Sequence, residues 1–368
     1  MSYLNVRFLP NIWGSTLSLF FCLSIGLLIA LFSNNIFLVW LGLEINMFGI
    51  IPFLNSNPNH TNNILLLNVS EVNVSFFYFF VQVIGSLFFA WGSILGDWYI
   101  ISITGLIIKI GAAPFFWWVP SIIPRLDWLS IGVVSTIQKI PGILLFRLIF
   151  DINLSICIIL SVIGFFISGI GINFSSNNIK QLMAWSSVSN MSILFILLVL
   201  NNSLGLIYFI FYSFIVIIFC IVMNFNQGSN LCTSFLNGNS HPNNFLIGGI
   251  ILIFSGLPPF VSFLLKVYFL SSFFVFDLIN DIINIELNGN SISYFYLLGS
   301  YLDSWNIIII FILLIILQAV GYIKAFISLN STGSSRLSNS SHSINFLSKH
   351  VLYSLLTLYI ISIILIWL

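Results

Sequence analysis

Apolar runs of about twenty residues follow one another along this chain with only short polar connectors between them. That is the length one helical crossing of a bilayer requires. Hydrophobic residues make up 59% of the sequence and charged residues 5%, against about 25% charged in a typical soluble domain. No soluble core can hide so much apolar surface, so lipid is the solvent for most of the chain. Backbone exposed to lipid must satisfy its own hydrogen bonds, which leaves helix bundles and closed barrels. Barrel strands alternate in polarity over segments of about ten residues. These runs do not alternate, and the chain reads as an all-α polytopic membrane protein.

We place the spans near 13–33, 35–55, 74–96, 99–118, 131–150, 152–173, 181–201, 204–225, 245–275, 304–326 and 350–368, about eleven in all. The fourth is interrupted at Gly111–Pro114. The ninth is too long for a simple span and carries Pro258 and Pro259 near its centre, so it reads as two half-helices broken near 255–259. Proline removes a backbone donor and frees carbonyls that only a protein-lined or wet interior can satisfy. The whole chain, 1–368, is expected to form a single membrane domain, with a first half at 13–150, a second at 152–275 and C-terminal helices over 276–368. The first run reads as a retained span: only Arg7 precedes it, no small-residue cleavage site follows, and a second run comes directly after.

Several function classes fall away. A net charge of +1 offers no basic field for nucleic acid. Cys22, Cys157, Cys220 and Cys232 lie far apart with no C-x-x-C spacing, three of them in apolar runs where cysteine behaves as a small hydrophobe. His60, His241 and His342 fall in polar segments and His350 at the edge of the last run, none at ligand spacing from a cysteine or carboxylate. No haem, flavin, iron–sulfur cluster or metal is expected on this chain. The connectors at 56–63, 224–244 and 331–343 are rich in Asn and Ser and carry no catalytic pattern. The 39 phenylalanines, with abundant Ile and Asn, suggest an AT-rich genome of the organellar kind.

The informative residues are the few charges inside the apolar runs. A charge near the middle of a span costs roughly 2.5–3.5 kcal/mol on insertion scales. Glu44 lies in IFLVWLGLEINMFGIIPFL, and Lys109 in ISITGLIIKIGAAPFFWWV, where nothing else is charged. Lys139 lies in IGVVSTIQKIPGILLF, just before Pro141–Gly142, which reads as a further local break. Lys266 follows Pro259 by about two helical turns in GLPPFVSFLLKVYFL. The bland alternatives are a protonated Glu44 bonded to a neighbouring helix and lysines that snorkel to the interface. Apolar neighbours on both sides leave Lys109 near the midplane, whereas Lys324 sits near a span end and reads as snorkelling. Lys180, Arg125, Asp127, Arg336 and Lys349 read as interfacial anchors, and Trp40, Trp117, Trp118, Trp128 and Trp185 as an aromatic belt. One carboxylate and three lysines, Glu44, Lys109, Lys139 and Lys266, thus read as a proton relay through the membrane. Lys109 precedes its break and Lys266 follows its own, the mirror order an inverted repeat produces.

WLGLEINMFGIIPFL (40–54), KIGAAPFFWWVP (109–120), TIQKIPGILLF (136–146), IKQLMAWSSVSNM (179–191) and SGLPPFVSFLLKVYFL (255–270) together resemble a known set of motifs, in order and spacing. They are similar to those of the antiporter-like subunits of respiratory complex I, mitochondrial NADH–ubiquinone oxidoreductase, and in particular its subunit 2 family. The resemblance covers roughly residues 13–270, the remainder matching by hydropathy only. It implies inverted five-helix repeats with broken helices, and proton translocation in the mitochondrial inner membrane. It also implies other membrane subunits and lipid as partners. NADH, flavin, iron–sulfur clusters and ubiquinone would be held by other subunits. Glu44, Lys109, Lys139 and Lys266 fall at the family's relay positions. Two histidines usual in the family are replaced by Phe116 and Asn190, and its lysine–tyrosine pair by Phe77–Tyr78 with Glu71 upstream.

A secondary cation/proton antiporter would use the same architecture but would want more intramembrane carboxylates than Glu44. A purely structural subunit would use its polar residues only to hold helices together. The one G-x-x-x-x-G spacing, Gly164 to Gly169, lies inside an apolar span, with Ile170 where a phosphate-binding loop needs lysine. The purified lone chain should therefore neither oxidise NADH nor reduce quinone in a spectrophotometric assay. Turnover by the chain alone would contradict the subunit reading.

Overall fold

A computed structural model describes residues 10–33, 35–55, 69–94, 99–149, 154–175, 178–200, 202–227, 248–249, 251–256, 262–273 and 304–331. The described residues are overwhelmingly helical and contain no strand. Six helical spans, from Val74–Ile94 to Trp305–Ser328, are each long and apolar enough to cross a membrane, so the fold is multi-pass and all-α. The eleventh expected span, 350–368, lies outside the described residues, as do Pro258 and Pro259. The chain divides into two compact units, Met1–Phe150 and Asp151–Leu368.

In the first unit, α1 (Pro10–Phe32) packs along α2 (Ile36–Asn55), and α3 (Val69–Ile94) along α4 (Tyr99–Ile110). Small residues set these approaches. Gly26 and Gly42 lie against backbone of the facing helix at Asn46 and Ala30, so α1 and α2 run antiparallel. Between α3 and α4 the contact is Gly85 against Gly105. Lipid tails are as apolar as leucine, so helices in a bilayer gain by close backbone packing more than by hiding apolar surface. After α4 come a short helix α5 (Trp118–Ile122), a 3-10 turn (Ile123–Arg125), α6 (Trp128–Ser135) and α7 (Lys139–Ile149). Both α4 and α1 pack on α7.

The fifth span departs from the sequence reading. Its interruption falls at Thr136–Gln138, between α6 and α7, and precedes Lys139 instead of following it at Pro141–Gly142. Pro141 is the third residue of α7, within the first turn, where its missing N–H has no intrahelical partner to lose. Upstream, Ser135 and Thr136 turn their hydroxyls back onto the carbonyls of Ile131 and Gly132, at 2.5 and 2.6 Å. Such back-bonding competes with the helical ladder and bends it.

In the second unit, α8 (Leu154–Phe174) packs on α9 (Ile179–Leu200), α9 on α10 (Asn202–Gln227), and α8 on the last described helix. The ninth span appears as helical residues 251–255, a turn at Gly256, and α11 (Ser262–Phe273). The last described helix is α12 (Ser304–Ser331). Asn173 links α8 to α12 by donating to the Leu317 carbonyl at 2.9 Å, and Phe165 and Phe269 both pack edge-on against Phe311.

The α3–α4 approach leaves no room for a side chain. A Cβ on Gly105 would stand 2.5 Å from both the Gly85 oxygen and the Phe89 nitrogen, which are backbone atoms that cannot turn aside. Gly105→Leu should cost about 1–3 kcal/mol or more by overpacking. A lowered thermal midpoint of the detergent-solubilised protein is the expected reading, and an unchanged midpoint would refute this packing.

Candidate functional site

Two of the interrupted helices end alike, each within its own unit. Helix α4 ends at Gly111, whose φ of +74° only glycine adopts readily, and residues 251–255 end at Gly256 with φ of +69°. At the first break the Gly111 N–H reaches the Ile108 carbonyl at 3.2 Å and the Ala112 N–H the Ile107 carbonyl at 3.2 Å, the two bonds of a Schellman cap. At the second, the Gly256 N–H meets the Ile253 carbonyl at 3.2 Å. The Ala113–Pro114 peptide that follows the first break is cis.

Carbonyls at each break also draw in side-chain donors, those of Ile108 and Ile253 in addition to their backbone bonds. At the first, the Trp118 indole N–H donates to the Ile108 carbonyl at 3.0 Å, and the Gln82 amide to the Lys109 carbonyl at 3.4 Å. At the second, the Lys266 ammonium donates to the Ser255 carbonyl at 2.7 Å, and the Ser262 hydroxyl donates to the Ile253 carbonyl. Trp118 is therefore no belt residue. It is buried, it closes the break, and Tyr78 of α3 packs edge-on against it with ring centroids 5.9 Å apart. Trp128 is also buried, while Trp117 is exposed and lies against Phe77.

The three lysines singled out from the sequence are enclosed: Lys109, Lys139 and Lys266 keep 9%, 2% and 5% of their surface exposed. Glu44 of α2 is half-buried, two residues before Asn46, which lines one cavity together with Lys109. Lys139 opens α7, and its ammonium has no hydrogen-bond partner among the described residues. Lys266 belongs to the second unit, where Ser255 holds it. Lys324 is exposed. In the second unit Asn190 accepts from the Tyr208 hydroxyl at 2.6 Å and donates to the Ser186 carbonyl at 2.8 Å. The Tyr322 hydroxyl bonds the side chains of Ser186 and Ser189.

Sequence reasoning passed over Asn46, Gln82 and Gln138. Gln138, beside Lys139 in the interruption, donates to the Asn46 carbonyl at 3.2 Å and so ties that turn to the helix carrying Glu44. The available signal was polarity: a carboxamide inside an apolar run is unusual for the same reason a charge is. Among the described residues, no three histidine, cysteine, aspartate or glutamate side chains gather in one place.

The arrangement can hold a cation at three enclosed positions. At Gly256 an added Cβ would stand 2.8 Å from the Lys266 Cδ and Nζ. Gly256→Ala should displace that ammonium and add about 1–2 kcal/mol of left-handed strain. Gly249→Ala, whose Cβ meets nothing within 4 Å, is the control. A lower thermal midpoint for the first variant and not the second is expected. Equal midpoints would contradict the described break.

The chain is similar to known proteins in sequence and in fold. The family model described as NADH:quinone oxidoreductase/Mrp antiporter, TM, matches residues 94–285. NADH-ubiquinone oxidoreductase chain 2 of Anopheles gambiae is 31% identical over 258 residues, covering 66% of this chain and 72% of that protein. The protein of the same name from Didelphis virginiana is 28% identical over 263 residues, covering 67% and 73%. Among solved structures, one of the membrane-bound sulfane sulfur reductase (MBS), an archaeal respiratory membrane complex, aligns at a TM-score of 0.58 and 16% identity. That alignment covers 93% of this chain and 71% of the other, a likeness of fold alone.

Proposed function

The chain belongs to the NADH:quinone oxidoreductase/Mrp antiporter membrane family, with the chain 2 proteins of NADH-ubiquinone oxidoreductase as relatives, and on that footing we propose that it translocates protons as a non-redox subunit of such an assembly. The setting is the mitochondrial inner membrane, with other membrane subunits and lipid as its surroundings. NADH, flavin, iron–sulfur clusters and ubiquinone belong to other subunits, and no cofactor belongs to this chain. The relay residues are Glu44, Lys109, Lys139 and Lys266.

The observation that carries this reading is the enclosure of three lysines at helix interruptions, one of them lining a cavity with the helix that bears Glu44. A lysine in a bilayer is expensive unless it is paired or hydrated. A break offers such partners, as the Ser255 carbonyl does for Lys266, because it presents free carbonyls and polar side chains where an unbroken helix presents none. Lysine can take up and release a proton without moving its backbone. Glu44 supplies the coupling: protonating that carboxylate removes the attraction that favours a charged Lys109, so a change at Glu44 shifts the proton held next to it. Passage then runs through Lys139 to Lys266, with water between groups that do not touch.

Lys109→Met roughly keeps volume and removes the charge. Proton pumping and coupled NADH–quinone turnover should fall together by roughly tenfold, equivalent to about 1.4 kcal/mol on the barrier. Assembly, followed on native gels, should persist. Normal pumping by the assembled variant would leave a structural subunit as the better reading. Purification of the chain as a cation-exchanging protein free of redox subunits would favour an antiporter.

A further inference from the structure

A small cavity lies in the first unit where α2, α3, α4 and the α6–α7 interruption converge. Its polar lining comes from Asn46, Gln82, Lys109 and Gln138, and it offers about 10 Å³ of room for water, close to what a single molecule needs. Two of the carboxamides are already anchored by their N–H groups: Gln82 on the Lys109 carbonyl and Gln138 on the Asn46 carbonyl. The third has a group to spare. Asn46 is 2% exposed, and its Oδ1 has no hydrogen-bond partner among the described residues. A buried acceptor left unbonded is costly, and a water with two to four polar neighbours is the ordinary remedy.

We propose that Asn46, Gln82 and Gln138 form a binding site for one water molecule against Lys109, with Gln138 as the positioning residue that fixes this water at the α6–α7 interruption. The ligand set suits the task. Carboxamides donate and accept hydrogen bonds but do not titrate, so they orient the water without trapping the proton that crosses it. The water takes a proton from the Lys109 ammonium on its oxygen lone pair, and its new O–H bond replaces the N–H bond that breaks. It then gives one of its own hydrogens to the next neutral base and returns to water. Gln138 stands one residue before Lys139 and bonds the helix that carries Glu44. It therefore sets where the proton leaves Lys109 relative to both.

The proposal rests on the relay reading for its purpose, while the site itself can be tested apart from pumping. In a map of the intact assembly that resolves neighbouring internal waters, density should lie within hydrogen-bonding distance of the Asn46 side-chain oxygen. Gln138→Met, similar in length but unable to hold the water, should abolish that density. Coupled turnover should fall roughly tenfold with the quinone KM unchanged, and the solvent deuterium isotope effect on turnover should rise as proton transfer becomes limiting. Absence of density in the wild-type map overturns the site. Full turnover with an unchanged isotope effect in Gln138→Met overturns the positioning role. Should that variant not assemble, the wild-type map decides. Density at Asn46 together with normal pumping by Lys109→Met would defeat the relay and leave the water site standing.

Discussion

A backbone carbonyl released by a helix break has no water to turn to inside a bilayer, and each one left unbonded costs several kcal/mol. Among the described residues, the two helices that break at Gly111 and Gly256 are arranged around that constraint. Each ends on a glycine in the left-handed region, which lets the chain cap part of its own end. The rest of the demand is met by side chains drawn inward: Trp118 and Gln82 at one break, Lys266 and Ser262 at the other. The polar interior follows from the breaks. Side chains that would be costly among lipid tails become necessary once the carbonyls are free.

The same logic explains why lysine can persist here. In an unbroken helix Lys109 would face lipid or a neighbouring apolar helix, and its charge would be a liability. In the last turn of α4 it sits where a helix C-terminus presents partial negative charge. Lys266 uses its carbonyl partner directly. A single arrangement therefore serves stability and chemistry: the cation stabilises the break, and the break makes the cation tolerable. Elsewhere polarity works as glue. Tyr208, Asn190, Tyr322, Ser186 and Ser189 join α9, α10 and α12 through hydroxyl and amide bonds, with no charge to carry.

Much of this was legible in the residues. Charges stand out in a chain where 5% of residues carry one, so Glu44, Lys109, Lys139 and Lys266 announce themselves. The break after Lys109 was legible because glycine and proline together end a helix for local reasons. The interruption at Thr136–Gln138 was not, because it contains neither. It arises from serine and threonine hydroxyls that back-bond the ladder and from a glutamine whose partner lies 92 residues away. Trp118 was misread as a belt residue for a related reason. Its position near a span end looks interfacial, and only the chain's return past α4 brings its indole to Ile108.

What the sequence determined by itself was the solvent, the helical class and the identity of the ionisable residues. These follow from composition and run length, which are local quantities that lipid reads one segment at a time. The tertiary structure decided which of those residues meet. Nothing along the chain says that Gln138 reaches Asn46, that Gln82 reaches Lys109, or that Lys266 turns back onto Ser255. The first two pairings depend on how closely helices approach at Gly26, Gly42, Gly85 and Gly105, and the third on where a freed carbonyl finds its nearest donor. Hydrogen bonding is directional and short in range, so its outcome is settled only when the helices are packed.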